Sequence, residues 1–85
     1  MLLTIISPEK TIFKGEDVQS VTVPGKKGRF TMLNNHAPII STLGKGDVVY
    51  MVDNVERRVS INAGLVETNK NIVTICVEEN KSGSI

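Results

Sequence analysis

Apolar residues in this chain come in short runs of about five, each closed by glycine, proline, asparagine or aspartate, which is the pattern of strands and turns. Val18–Val23 alternates cleanly, with Val21 and Val23 on one face and Ser20 and Thr22 on the other. Residues 55–62 do the same, Val59 and Ile61 opposing Arg58, Ser60 and Asn62, as in an antiparallel sheet with one wet face. Leu2–Ile6 is apolar at both parities. Either both of its faces are buried, or some apolar surface is reserved for a partner. Further strands are predicted at 11–14, 28–33, Ile39–Leu43, 48–52, 64–68 and 72–77. Pro24 and Gly25 suit a type II turn. Asp53 with Asn54 reads as a two-residue hairpin. The run 44–47 reads as a strong turn that breaks the strand, and 69–71 as a last hairpin. No stretch of ten residues sustains a helical i, i+3, i+4 pattern. Strands at a spacing of about 8–12 residues therefore predict an all-β sandwich or barrel with almost no helix.

Eighty-five residues make one domain with a modest core. A balance of 40% hydrophobic and 22% charged residues is that of a globular chain. The formal charge of +1 is too even for a general nucleic-acid or membrane-surface binder, and three aromatics, Phe13, Phe30 and Tyr50, make no stacking platform. One cysteine allows no internal disulfide and fits a reducing compartment. The first residues lack the basic start and cleavage site of a signal peptide, and no apolar run approaches the roughly 20 residues of a bilayer span. No direct membrane insertion is expected. The polar end, 79–85, is expected to fray from a domain covering 1–78.

His36, the single histidine, and Cys76, the single thiol, are the only obvious catalytic candidates. Cys76 sits between Ile75 and Val77 and reads as a buried small hydrophobe. His36 reads as a loop residue without a partner base or nucleophile. The carboxylates have no metal-ligand spacing, and the glycines make neither a Walker loop nor a dinucleotide fingerprint. No active site, metal or cofactor is expected, so the chain reads as non-catalytic.

The densest turn chemistry lies in residues 23–38. It holds two of the three prolines, the histidine and the basic cluster Lys26, Lys27 and Arg29. Val23-Pro24-Gly25-x-x-Gly28-x-Phe30, then Met32-Leu33, then His36-Ala37-Pro38 and an apolar pair resembles the N-terminal β-sandwich of the ε subunit of F-type ATP synthases. Leu2 to Pro8 with Glu9 resembles that family's opening strand, and Asn62-Ala63-Gly64-Leu65-Val66-Glu67 and Asn71-Ile72-Val73-Thr74-Ile75 resemble its later segments. Thr31 departs from the usual glycine, and Asn34 with Asn35 replaces Pro-Gly. The chain also ends at Ile85, before the family's inhibitory C-terminal helical hairpin, so it reads as a short form that binds no nucleotide.

The resemblance implies a flattened, ten-stranded antiparallel sandwich in the rotor's central stalk, linking the γ subunit to the polar loops of the c-ring. In that role it couples proton flow to ATP synthesis at the cytoplasmic face of a bacterial inner membrane, as a peripheral part of the complex. By family position, Lys26, Lys27, Arg29, Asn34 and Asn35 are candidates for the ring, and His36, Ala37, Pro38, Ile40 and Thr42 for γ. The competing readings are a free-standing β-sandwich module binding a ligand or peptide, a small hydrolase or metal enzyme built on His36, and the homologous mitochondrial δ subunit.

Overall fold

A computed structural model of the chain describes residues 1–80, and every regular element in it is a strand. In order these are β1 (Leu2–Ile6), β2 (Thr11–Gly15), β3 (Val18–Val23), β4 (Phe30–Leu33), β5 (Ile39–Leu43), β6 (Gly46–Val52), β7 (Val55–Asn69) and β8 (Ile72–Glu79). They join in the order β2-β1-β8-β7-β6-β3-β4, with β5 also paired to β7. Eight strands stand where ten were expected. Residues 55–62 and 64–68 are one strand, because Ala63 and Gly64 stay in the ladder with β8. Nor is the sheet wholly antiparallel, since β1 runs parallel to β8. Strands from opposite ends of the chain share no hairpin to dictate their direction.

One long hairpin organises the fold. Ile39 to Leu43 pair with Thr68 to Gly64, and Gly46 to Val52 pair with Ile61 to Val55, in a single unbroken register. The arms close at Asp53 and Asn54, whose φ values of 52° and 61° give the left-handed pair a two-residue hairpin requires. Lys70 and Asn71 (φ 52° and 63°) close the β7–β8 hairpin in the same way. The expected break at 44–47 is a bend in this hairpin. Gly46 there has φ +154°, and a Cβ would lie 2.9 Å from the Pro24 ring. On the opposite arm the β7–β8 register slips between Ile61 and Ala63.

The sheet folds over at that bend. Phe13 of β2 and Tyr50 of β6 lie four strands apart in the order, close to 20 Å in a flat sheet at about 4.8 Å per strand, yet their ring centroids are 4.7 Å apart. The first layer is β2-β1-β8, the C-terminal half of β7, and β5. The second is the N-terminal half of β7, β6, β3 and β4. Leu3, Ile5, Val66, Val73 and Ile75 from the first meet Val21, Val23, Met32, Val48 and Tyr50 from the second in one core. Each such side chain contributes about 1.5–3 kcal/mol on burial. Val18 and Val21 have opposite parity yet both point inward, because a register slip between Val18 and Ser20 resets the alternation.

Several expectations change. The turn is Gly25 to Gly28, closed by the Gly28 N–H donating to the Gly25 carbonyl (3.0 Å), with Lys26 and Lys27 at its tip in place of Pro24 and Gly25. Pro24 and Gly25 instead continue the pairing: Gly44 N–H donates to the Pro24 carbonyl (2.8 Å), and Gly25 bridges Leu43. Gly25 is needed for close approach, since a Cβ there would lie 2.6 Å from the Gly28 oxygen. Cys76 is exposed. In β8, Val73, Ile75 and Val77 face the core, and strict alternation sends Cys76 outward. Leu3 and Ile5 are fully buried while Leu2 and Ile6 are half-buried, so only one face of β1 belongs wholly to the core. At the far end β8 reaches Glu79, and Asn80 N–H donates to the Ser60 carbonyl (2.9 Å). The remainder of the expected tail lies outside the described residues.

Candidate functional site

The two outer faces of the sandwich are built differently. On the second layer, polar side chains close on one another. Ser60 Oγ donates to the Asp47 carboxylate (2.7 Å), the Arg58 guanidinium lies 3.5 Å from the same group, and Arg58 also donates to Glu56 (2.9 Å). The Thr22 and Thr31 hydroxyls share a 2.8 Å hydrogen bond, and Gln19 exchanges two hydrogen bonds with Asn54.

On the first layer, register places Thr42, Leu65, Cys76 and Ile6 in one outward row and Ile40, Glu67, Thr74, Thr4 and Lys14 in the next. Ile40 is 68% exposed, Ile72 47% and Leu65 42%, while the exposed apolar residues of the second layer, Leu33 and Val55, stand at strand ends. Among the described residues no side-chain hydrogen bond or ion pair ties the side chains of these two rows together. Exposed isoleucine and leucine among polar side chains that have no ties to one another make a mixed surface open to a partner.

Beside this face lies a groove of about 790 Å³, between the 25–29 loop and β5. Two backbone bonds hold the loop there, Lys26 N–H to the Thr42 carbonyl (3.1 Å) and Gly44 N–H to the Pro24 carbonyl. Arg29 reaches across to donate to the Asp47 carbonyl (3.1 Å). Phe30, Ile40 and Leu65 supply the apolar part of the lining, and Lys26, Lys27 and Arg29 the charge.

The sequence-derived candidates regroup accordingly. Lys26, Lys27 and Arg29, the ring candidates, share the groove with Ile40 and Thr42, the γ candidates. Asn34 and Asn35 lie at the other end of β4, roughly 10–13 Å away along a four-residue strand. There the Asn34 side-chain oxygen accepts from the Met1 ammonium (2.7 Å), and Asn35 N–H donates to the Asn71 side chain (2.8 Å). His36, Ala37 and Pro38 follow at that same end. His36 N–H donates to the Leu33 carbonyl (3.1 Å), and its Nδ1 pairs with the Ala37 carbonyl (2.7 Å). Leu65, Ile72 and Cys76 were missed as outward residues. In a run such as Leu65-Val66, where both parities are apolar, sequence cannot tell the outer from the inner side chain.

Among the described residues no three histidine, cysteine, aspartate or glutamate side chains could hold a metal ion together. No helix among them is long and apolar enough to cross a membrane. Burial against Phe13 raises the Tyr50 phenol above its ordinary value of 10.0, and Arg57, its cross-strand partner, partly offsets this.

Comparison with known proteins adds a family. Residues 1–83 match the family described as ATP synthase, Delta/Epsilon chain, beta-sandwich domain. The ATP synthase epsilon chain of Leptospira borgpetersenii serovar Hardjo-bovis is 40% identical over 76 residues, covering 89% of this chain and 59% of the relative. That of Symbiobacterium thermophilum is 37% identical over 78 residues, covering 92% and 56%. The chain thus spans somewhat under three-fifths of the length of these relatives. Among solved structures, the fold matches a chain of the Euglena gracilis mitochondrial ATP synthase (OSCP/F1/c-ring) with TM-score 0.87 and 22% identity, covering 93% of this chain and 51% of the other. A chain of the Tetrahymena thermophila mitochondrial ATP synthase central stalk and c-ring matches with TM-score 0.79 and 19% identity, covering 93% and 63%. At such identities the likeness is one of fold.

Proposed function

Because this chain belongs to the delta/epsilon family of ATP synthase through its β-sandwich domain, we propose that it is a non-catalytic ε subunit of the central stalk. In that role it ties the γ subunit to the c-ring, so that the two rotate together as protons cross the membrane. The observation that carries this reading is the bare first-layer face, with Ile40, Leu65 and Ile72 exposed beside a cationic loop. A stiff two-layer body transmits torque, and a mixed face without internal polar ties supplies the area that a lasting subunit contact requires.

Ile40, Thr42 and Leu65 are proposed to meet γ, with His36, Ala37 and Pro38 at the rim of that contact. Lys26, Lys27 and Arg29 are the proposed ring contact. Asn34 and Asn35, also ring candidates by family position, lie at the far end of β4 beside His36, which supports placing them with the γ rim instead. The place of the complex would be the periphery of a bacterial inner membrane, on the cytoplasmic side. A free-standing binding module finds no support in the family match. Co-expression with γ from the same source, followed by size-exclusion chromatography, tests the reading. A stable one-to-one complex is expected, and none at tens of micromolar would overturn it.

A further inference from the structure

The groove beside β5 runs along an open sheet edge. Thr42 turns its carbonyl to Lys26 and Gly44 its N–H to Pro24, so residues of this parity point their backbone groups away from β7. Ile40 has the same parity, and among the described residues its N–H and C=O, with the Thr42 N–H, have no partner. Pro38, next in the series, has no N–H to offer and ends the open stretch. Three cations line the groove and no carboxylate does.

We propose that this edge accepts an extended, acidic segment of a partner polypeptide as an added strand. It pairs with the backbone of Ile40 and Thr42 and sets its carboxylates against Lys26, Lys27 and Arg29. Open N–H and C=O groups on a strand edge suit a peptide backbone. Apolar side chains of the segment would lie along Ile40, Leu65 and Phe30, and acidic ones within reach of the loop. A second copy of this chain is the poorer occupant. Its own β5, Ile39–Leu43, carries no acidic residue, and edge-to-edge pairing would bring two sets of Lys26 and Lys27 together. With so few backbone bonds available, charge supplies much of the affinity, which therefore falls as ionic strength rises. The inference rests on the assignment of Ile40 and Thr42 to γ only for the source of the strand, γ, whose carboxylates would then take Lys26, Lys27 and Arg29 from the ring.

The probe is a fluorescein-labelled hexapeptide of alternating valine and glutamate, titrated against the intact chain by fluorescence anisotropy and followed by amide NMR. Saturable binding is expected, with shifts at Ile40, Thr42 and Leu65. Binding should weaken at least tenfold in the Lys26→Glu/Lys27→Glu variant, and equally when the valine amides of the peptide are N-methylated. The methylated peptide leaves the protein unaltered, so its result does not depend on how a variant folds. No saturation at millimolar peptide, undiminished binding of the methylated peptide, or shifts confined to other strands would each overturn the proposal. So would concentration-dependent dimerisation through β5, or phosphatidylglycerol vesicles shifting the same amides when the peptide does not. A peptide that binds where γ does not would sink the subunit assignment and keep the groove. The converse would keep γ and sink the groove.

Discussion

The outward faces of the two layers come from one hairpin yet are finished in opposite ways. On the N-terminal half of β7, Glu56, Arg58 and Ser60 find partners on their own strand or on β6, so the middle of that surface is tied polar chemistry, with exposed Val55 and Leu33 only at strand ends. On the C-terminal half, Leu65 and Glu67 stand among Ile40, Thr42, Thr74 and Cys76 with no comparable ties. A face whose hydrogen bonds are satisfied internally gains little from a partner. A face of half-exposed apolar side chains gains from every square ångström covered. On that difference rests the proposal that the second layer serves the fold and the first serves association.

The largest way to break this contrast acts on what the layers share. Leu43 is fully buried at the end of β5, next to the bend and bridged to Gly25. Leu43→Ala should cost about 2–5 kcal/mol, read by urea unfolding, and loosen both faces together. A cost below about 1 kcal/mol would mean that the bend is not held by this packing. Next, the double substitution Ile40→Glu and Leu65→Glu should weaken the γ complex by a factor of about 100, equivalent to ~2.7 kcal/mol, with little change in stability. Thr22→Lys with Thr31→Lys on the second layer should leave the complex intact. Equal loss from both pairs would erase the distinction between the faces.

A smaller effect sharpens the closed face. Asp47→Ala removes the Ser60 hydrogen bond and the Arg58 contact. It should lower stability by about 1 kcal/mol, visible in thermal melts, while affinity for γ stays unchanged. The smallest effect concerns pH. Burial raises the folded-state pKa of Tyr50 above its unfolded value of 10.0, so its contribution is full below pH 10. That contribution declines as pH climbs from there through the folded-state pKa. Tyr50→Phe should flatten this alkaline slope, and an unchanged slope would place the titrating group elsewhere.

Much of the fold was legible because turns and alternation are local. Val18–Val23 and Leu2–Ile6 appear with the boundaries their patterns predict, and Asp53 with Asn54 makes the expected hairpin. Legibility failed where a residue's role is set by distant neighbours. Gly44 and Gly46 look like a chain reversal in sequence, but a strand opposite keeps its ladder running past them and turns the break into a bend. Cys76 looks like core among Ile75 and Val77, and only its place in the alternation of a paired strand turns it outward. Of the candidate surface, the basic loop and the residues after it could be named in advance. Their division between the two ends of β4 could not.

By itself, the sequence determined that this would be an all-β sandwich of the delta/epsilon kind, because strand periodicity, turn residues and motif spacing are properties of neighbours along the chain. Only the tertiary structure decided which apolar residues stay outside and which strand edge stays open. Burial of Leu65 against Val66, or of Ile40 against Ile39, depends on which side the second layer packs. That side is set by register and by the bend at Gly46, contacts made between residues far apart in sequence.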